Sequence, residues 1–368
     1  MHASFHPKGG LSLRAVGLTV LFFVAVGLCA GCGAALSQSN QYPRNHVSAP
    51  MSGYSIGGDL DVTDLAGGLR RQPTGAALVR LMKNSGVQIV RLYCYWGCNM
   101  NGLTPEQWRN AFDLLRAAGI KVILRLNGSP HFLRTGIIRN PERYIAGEEA
   151  ILARLKAAYG GSYPANLVAV DPINEPFVDA QTLPQLRAVT TAIRRYSGLP
   201  VSIGGWRTPD GKNGRGVFNS PDPAVVRELA PLVDYLSIHV YPDDGNNVQG
   251  KSARTSTDPA TYEPFVRNFL RVAVSNDGGK PVFVEEFGGQ NGLAPAGNRP
   301  LAGSPAHQRA VVDAVLQTMR SFKGRGVTGG TVFNLAHAAP WRNCDGWDLI
   351  CYRPLRIMPA LADLKKFE

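Results

Sequence analysis

Short apolar, β-branched runs alternate with amphipathic stretches along the chain from Tyr54 onward. The runs Tyr54–Leu60, Val87–Tyr93, Lys121–Asn127, Val168–Asn174, Val201–Gly205, Tyr235–Val240, Pro281–Glu286 and Gly330–Leu335 are bounded by Gly, Pro, Asn or Asp. That is the pattern of parallel strands covered on both faces. Helix signals lie between them. Thr104-Pro105-Glu106 sets a capping residue before a proline at the first helical position, and Gly119 closes that helix. Pro184–Tyr196 stops at Gly198, Pro259–Ser275 and Pro305–Phe322 follow the same logic, and Pro359–Phe367 supplies a last helix. Eight such units in one row predict an α/β fold, a single (β/α)8 TIM barrel over residues 51–368. A doubly wound open sheet is disfavoured, because neither GxGxxG nor GxxxxGK(S/T) follows the first strand.

The segment before the barrel has a different pattern. Lys8 and Arg14 precede an apolar run from Ala15 to Ala30, which gives way to the small residues Gly31-Cys32-Gly33-Ala34-Ala35. A basic start, an apolar middle and a small-residue end form an export signal over residues 1–34. The run is short for a spanning helix, which needs about 20 residues. Ala30-Gly31-Cys32 resembles a bacterial lipoprotein box, with Cys29 where Leu is usual and Leu28 one step further away. Two outcomes follow: lipidation of Cys32, which would attach the protein to a membrane, or cleavage near Ala34 or Ala35. Ser37–Pro50 reads as a polar tether within a 35–50 linker. A periplasmic, membrane-anchored or secreted protein is expected.

Composition refines this picture modestly. With 368 residues, 44% hydrophobic and 18% charged, the chain can bury a full core and is not disordered. The net charge of +12 is spread along the chain, without a basic block or an aromatic ladder. It reads as a solvated basic surface, with an acidic polysaccharide as the alternative and nucleic acid disfavoured. For an exported chain, Cys94, Cys98, Cys344 and Cys351 suggest disulfides. Cys94–Cys98 and Cys344–Cys351 are the expected pairs, since each lies within one predicted loop. Zinc is disfavoured by the absence of CxxC spacing or a neighbouring His.

In a barrel of this kind the reactive groups gather at the C-terminal ends of the strands. Asn174-Glu175-Pro176 stands at the end of the fourth strand, and Glu285-Glu286-Phe287-Gly288 at the end of the seventh. Alternation lets only one of Glu285 and Glu286 face the mouth of a regular strand. A lone glutamate at a strand end is usually a surface or ion-pair residue. Two carboxylates aimed from different strands at one opening are what glycoside hydrolysis requires.

With these motifs in place, the region from about Tyr54 to Phe367 resembles glycoside hydrolase clan A, most nearly family 5, the cellulase family, with family 39 as a near neighbour. The resemblance implies that Glu175 is the acid/base, that Asn174 binds a sugar hydroxyl, and that Glu286 rather than Glu285 is the nucleophile. Arg91 resembles the strand-two arginine that orients the nucleophile. His239-Val240-Tyr241 resembles the clan's His-x-Tyr, with Tyr241 on the nucleophile and His239 near the acid/base. Two departures concern the sugar floor. Phe333-Asn334-Leu335 stands where strand eight usually offers a Trp, and Asn127, with His131 four residues on, stands where strand three usually carries a His. Trp96, Trp206, Trp341 and Trp347 are candidate stacking platforms, since a pyranose offers an apolar face to an aromatic plane.

The expected activity is retaining hydrolysis of a β-linked poly- or oligosaccharide by double displacement through a glycosyl-enzyme. It needs no metal and no organic cofactor, and a monomer is expected. The alternatives are an inactive carbohydrate-binding barrel and a transglycosylase of exopolysaccharide metabolism.

Overall fold

The structure, a computed structural model, describes residues 53–66, 75–93, 103–126, 138, 140–208, 217–243, 255–293, 303–336, 346–352 and 355–367. The chain divides into a unit Met1–Arg44, outside the described residues, and a unit Asn45–Glu368. The expected export signal and most of the expected tether therefore lie outside what is described.

The strands are β1 (Ser55–Asp61), β2 (Ile89–Tyr93), β3 (Lys121–Arg125), β4 (Leu167–Asp171), the short β5 (Arg207–Thr208) and β6 (Val217–Phe218), β7 (Leu236–Val240), β8 (Val282–Phe287), β9 (Val327–Ala336), β10 (Ile350–Tyr352) and β11 (Leu355–Ile357). The helices are α1 (Val62–Leu65), α2 (Gly75–Asn84), α3 (Pro105–Ala117), α4 (Pro141–Ala158), α5 (Leu183–Ser197), α6 (Pro223–Leu229), α7 (Glu263–Asn276), α8 (Pro305–Ser321) and α9 (Pro359–Asp363). Seven strands form one parallel sheet in the order β4-β3-β2-β1-β9-β8-β7. The expected fifth strand closes the ring as a run of isolated bridges, Val170–Val201 and Asn174–Gly204. It is not a regular strand because side chains take part of its hydrogen bonding. Val201 N–H donates to Asp234 at 2.8 Å, and Gly204 N–H reaches Asp171 at 3.1 Å. On its other side Asp234 N–H donates to the Val201 carbonyl at 2.8 Å. The fold is the (β/α)8 barrel.

Helix boundaries follow local chemistry. Thr104 and Gln107 form a reciprocal capping box at α3, Asn140 caps α4 and Ser304 caps α8. Gly119 (φ 76°) and Gly198 (φ 69°) end α3 and α5 in the left-handed conformation. The stretch expected as one helix from Pro259 is two elements, a 3-10 turn Pro259–Thr261 and then α7. Pro264, with no N–H to give, fits only the first turn of a new helix.

Alternation along the strands stacks the barrel interior in layers. Ile89, Ile123, Val168, Ala169, Tyr235 and Phe283 form an apolar cluster of their own, with the Tyr235 and Phe283 rings edge to face at 6.4 Å. Two residues further along the strands stand Arg91, Arg125, Asp171, Ser237 and Glu285. The alternate positions, such as Val90, Leu92, Val122, Leu124, Val170, Ile238 and Val284, join the large core that includes the helices. Among the described residues, polar groups therefore rest on an apolar floor and are walled by an apolar sleeve.

Candidate active site

The centre of the polar layer is Arg91, wholly buried on β2. Its Nη1 donates to Asp59 at 2.9 Å and to Glu286 at 2.5 Å, and its Nη2 donates to Asn174 at 2.7 Å and to Asp171. Its Nε lies 3.4 Å from Glu285. A planar guanidinium with five donors suits such a role, tying strands β1, β2, β4 and β8 at one point. Burial alone would favour loss of its proton, but Asp171, Asp59, Glu285 and Glu286 hold it in place.

Four carboxyl groups around Arg91, with Arg125 as the second cation, would be costly if all were ionised. Burial pushes Asp59 well above the ordinary carboxylate range against the pull of Arg91, and burial with Asp171 pushes Glu285 up. Glu286 goes the other way. Burial would raise it, but His239, Arg91, Arg125 and the Tyr241 hydroxyl bring it down to about 2. It is held as a carboxylate.

Glu285 and Glu286 both reach the interior, which simple alternation does not allow. The reason is a bulge: β7 pairs Ile238 with Val284 but His239 with Glu286, so Glu285 is the extra residue. Glu285 points to the lower layer, where Ser202 and Tyr235 donate to it at 3.0 and 2.7 Å. Glu286 points up, accepting from Tyr241 at 2.8 Å and from Arg125 at 3.4 Å. Burial and Glu286 keep the Tyr241 phenol protonated, so it serves as a donor.

Glu175 stands just past β4 with a left-handed backbone (φ 47°), pinned by its N–H to the Gly204 carbonyl at 2.7 Å. Such a conformation is uncommon outside glycine and needs surrounding structure to hold it. Its Oε1 meets His239 Nδ1 and Asn219 Nδ2, each at 3.1 Å, and its Oε2 lies 3.6 Å from Arg207. His239 Nδ1 is also 3.5 Å from Glu286, so this nitrogen faces two carboxyl groups. Ligand atoms of Glu175, His239 and Glu286 all lie within 4.8 Å of one another. The spacing is that of a metal cluster, yet Glu286 is already matched by two guanidinium groups and a phenol.

The chain after Val201 can approach this closely because of Gly204-Gly205. A methyl on Gly204 would sit 2.5 Å from Arg91 Nη2, and one on Gly205 (φ 60°) would sit 2.6 Å from Asn219 Oδ1 and from His239.

The aromatic candidates separate. Trp206 is fully buried with its ring edge to face on Phe269 at 5.7 Å, so it is core and not a sugar platform. Trp347 and Phe333, both partly exposed, lie edge to face on Tyr241 at 5.3 and 6.4 Å. Asn334 holds that arrangement, its carbonyl accepting from Leu349 at 2.9 Å and its amide donating to Tyr93 at 2.9 Å. Asn127, Trp96, Trp341, Cys94, Cys98 and Cys344 lie outside the described residues, and Cys351 is buried on β10. Sequence reading did not single out Asp59, Arg125, Arg207 or Asn219. Arg125 had a signal, as a charge inside an apolar run two residues before Asn127, and Asn219 had none.

The family profile of Cellulase (glycosyl hydrolase family 5) matches residues 53–317. No similar sequence is found among curated proteins. Similar solved structures include β-glucuronidase from Ruminococcus gnavus, with a TM-score of 0.57 at 13% identity over 86% of this chain and 50% of that one. A β-glucuronidase from an uncultured Clostridium sp. gives 0.57 at 15% over 85% and 50%. An endo-β-1,4-mannanase from Thermotoga petrophila gives 0.57 at 14% over 86% and 76%. These likenesses are of fold, and the chain spans half the length of either glucuronidase. The profile runs through the strand ends that carry Arg91, Glu175, His239 and Glu286, and the chain belongs to glycosyl hydrolase family 5.

Proposed function

We propose that the chain is a retaining glycoside hydrolase acting on a β-linked sugar, with Glu286 as nucleophile and Glu175 as acid/base. The observation that carries this reading is that one oxygen of Glu175 and one of Glu286 lie within 4.8 Å of each other. Retaining pairs stand about 5–5.5 Å apart, whereas inverting pairs leave about 6.5–9.5 Å for a water. Glu286, held ionised, attacks the anomeric carbon while Glu175 gives a proton to the departing oxygen. Glu175 then takes a proton from water as that water displaces Glu286, and configuration is retained. Tyr241 and Arg91 orient the nucleophile, Asn174 offers its amide to the sugar with its Oδ1 fixed on Arg91, and Phe333 with Trp347 supplies the apolar wall beside Tyr241.

The test is the anomer released first from whichever glycoside is accepted in a panel of aryl β-glucosides, β-mannosides and β-glucuronides. Proton NMR is expected to detect the β-product before mutarotation; an initial α-product would refute retention. Glu175→Gln is expected to lower kcat/KM on a poor leaving group by about 10²–10⁴-fold. Sugar binding that survives in a wild-type chain with no turnover on any β-glycoside would favour a binding barrel. Longer oligomers among the products would favour transglycosylation.

Export belongs to the same proposal. The intact mass of the mature protein is expected to place its N-terminus at a lipidated Cys32 or close to Ala35. A mature chain that retains Met1–Ala30 would overturn it.

A further inference from the structure

The two oxygens of Glu175 are not equivalent. Oε1 accepts from Asn219 Nδ2 at 3.1 Å and lies 3.1 Å from His239 Nδ1, while Oε2 has Arg207 at the longer distance of 3.6 Å. An oxygen that already accepts an amide N–H and abuts a ring nitrogen is the more crowded site for a proton that must reach a departing group.

Asn219 cannot turn its amide around to relax this preference. Its Oδ1 accepts the Trp206 N–H at 3.1 Å, and its own N–H donates to the Trp206 carbonyl at 2.9 Å. That leaves Nδ2 facing Glu175. The residue is 3% exposed and has a left-handed backbone (φ 48°), which asparagine tolerates better than most residues. Gly205 leaves room for it, since any Cβ there would collide with Asn219 Oδ1 and His239. Neither a catalytic motif nor an apolar periodicity accounts for a buried, conformationally demanding asparagine aimed at this carboxyl group.

We propose that Asn219 is a positioning residue for the acid/base, holding Oε1 of Glu175 so that Oε2 presents the proton to the departing glycosidic oxygen. This rests on the reading of Glu175 as acid/base. It assigns Asn219 to protonation of the leaving group and not to the nucleophile, because Asn219 contacts Glu175 alone of the pair. The groups facing Glu175 are then Asn219 beside the β5–β6 hairpin, Arg207 on β5, His239 on β7 and Glu286 on β8.

The experiment uses two variants of the full chain and two aryl β-glycosides of the sugar that the wild type prefers, one with phenol and one with 2,4-dinitrophenol as leaving group. Asn219→Asp keeps the acceptor for Trp206 N–H but replaces the donor with a negative charge. Asn219→Gly keeps the backbone conformation and removes the amide, so either variant can carry the test if the other misfolds. The expected result is a loss of kcat/KM on the phenyl glycoside at least about tenfold larger than on the dinitrophenyl glycoside, which needs no proton. In Asn219→Asp the alkaline limb of the kcat/KM–pH profile should also move to higher pH, since loss of the donor and gain of a like charge favour the protonated acid. Equal losses on both substrates, or an unmoved alkaline limb, would overturn the proposal. Glu175→Gln measured in parallel separates the two failures. If it also spares the phenyl glycoside, the assignment of Glu175 is wrong; if it does not, only the role of Asn219 falls.

Discussion

Glu286→Gln is expected to lower kcat/KM by on the order of 10⁴-fold or more while the protein keeps its fold and its affinity for the sugar. The amide is nearly isosteric: its oxygen can still accept from Arg91, and its NH2 can donate to the Tyr241 hydroxyl in place of the oxygen that accepted from it. What disappears is the charge that, in the proposed mechanism, attacks the anomeric carbon. Single-turnover kinetics and calorimetric titration of the same glycoside would check both halves. A variant with more than a few per cent of wild-type turnover would show that another group attacks. The wild-type pH profile carries a linked expectation. Because His239, Arg91, Arg125 and Tyr241 hold Glu286 down at about 2 against its burial, its protonation should not limit kcat/KM within the ordinary carboxylate range. An acid limb near that of a free glutamate, in protein shown to stay folded, would contradict this.

Arg91→Met is expected to be the most destabilising single change at the site. Methionine fills much of the volume, but it leaves Asp59, Asp171, Glu285 and Glu286 buried beside one another with Arg125 as the remaining guanidinium among them. Removing one partner from a buried ion cluster costs about 3–5 kcal/mol, a fall in Tm of roughly 5–8 °C for a domain of this size. The pH dependence has a definite sign. Asp59 and Glu285 are already raised by burial, and without Arg91 they and their neighbours should rise further. Groups raised in the folded state favour folding most below their unfolded value, about 4, and lose that contribution as pH climbs through the folded value. The deficit relative to wild type should therefore be smallest in mild acid and grow towards neutral pH. Melting curves at a series of pH values decide it, and a deficit independent of pH would mean that packing, not charge, makes Arg91 matter.

Much of this architecture was readable from residue order alone. The eight apolar runs mark the barrel strands to within a few residues, because each is buried on both sides and bounded by Gly, Pro, Asn or Asp. The fifth was legible as an apolar run but not as bridges, since nothing in its letters announces that Asp171 and Asp234 would replace ladder partners. Helix α4 went unpredicted because Gly147 and the buried Glu148 interrupt its apolar stripe. In the site, Glu175 and the Glu285-Glu286 pair stood out as carboxylates at strand ends, whereas Arg91, His239, Tyr241 and the choice of Glu286 came from the resemblance to the cellulase family. Asn219 belongs to a segment whose neighbours set its backbone and its partner, a tertiary fact with no local trace. Trp206 shows the reverse limit. A tryptophan beside a strand end looks the same in sequence whether its ring faces a sugar or, as here, Phe269.

The irregular count in β8 has a practical consequence for anyone who transplants or redesigns this strand. Two successive acids both reach the interior, at different storeys, because the first of them, Glu285, is surplus to the pairing with β7. Copying the letters Val-Glu-Glu-Phe onto an evenly paired strand would send one acid outward into the apolar sleeve. Both its neighbours and the guanidinium below would then lose a partner. The surplus residue of the strand is thus itself one of the two acids.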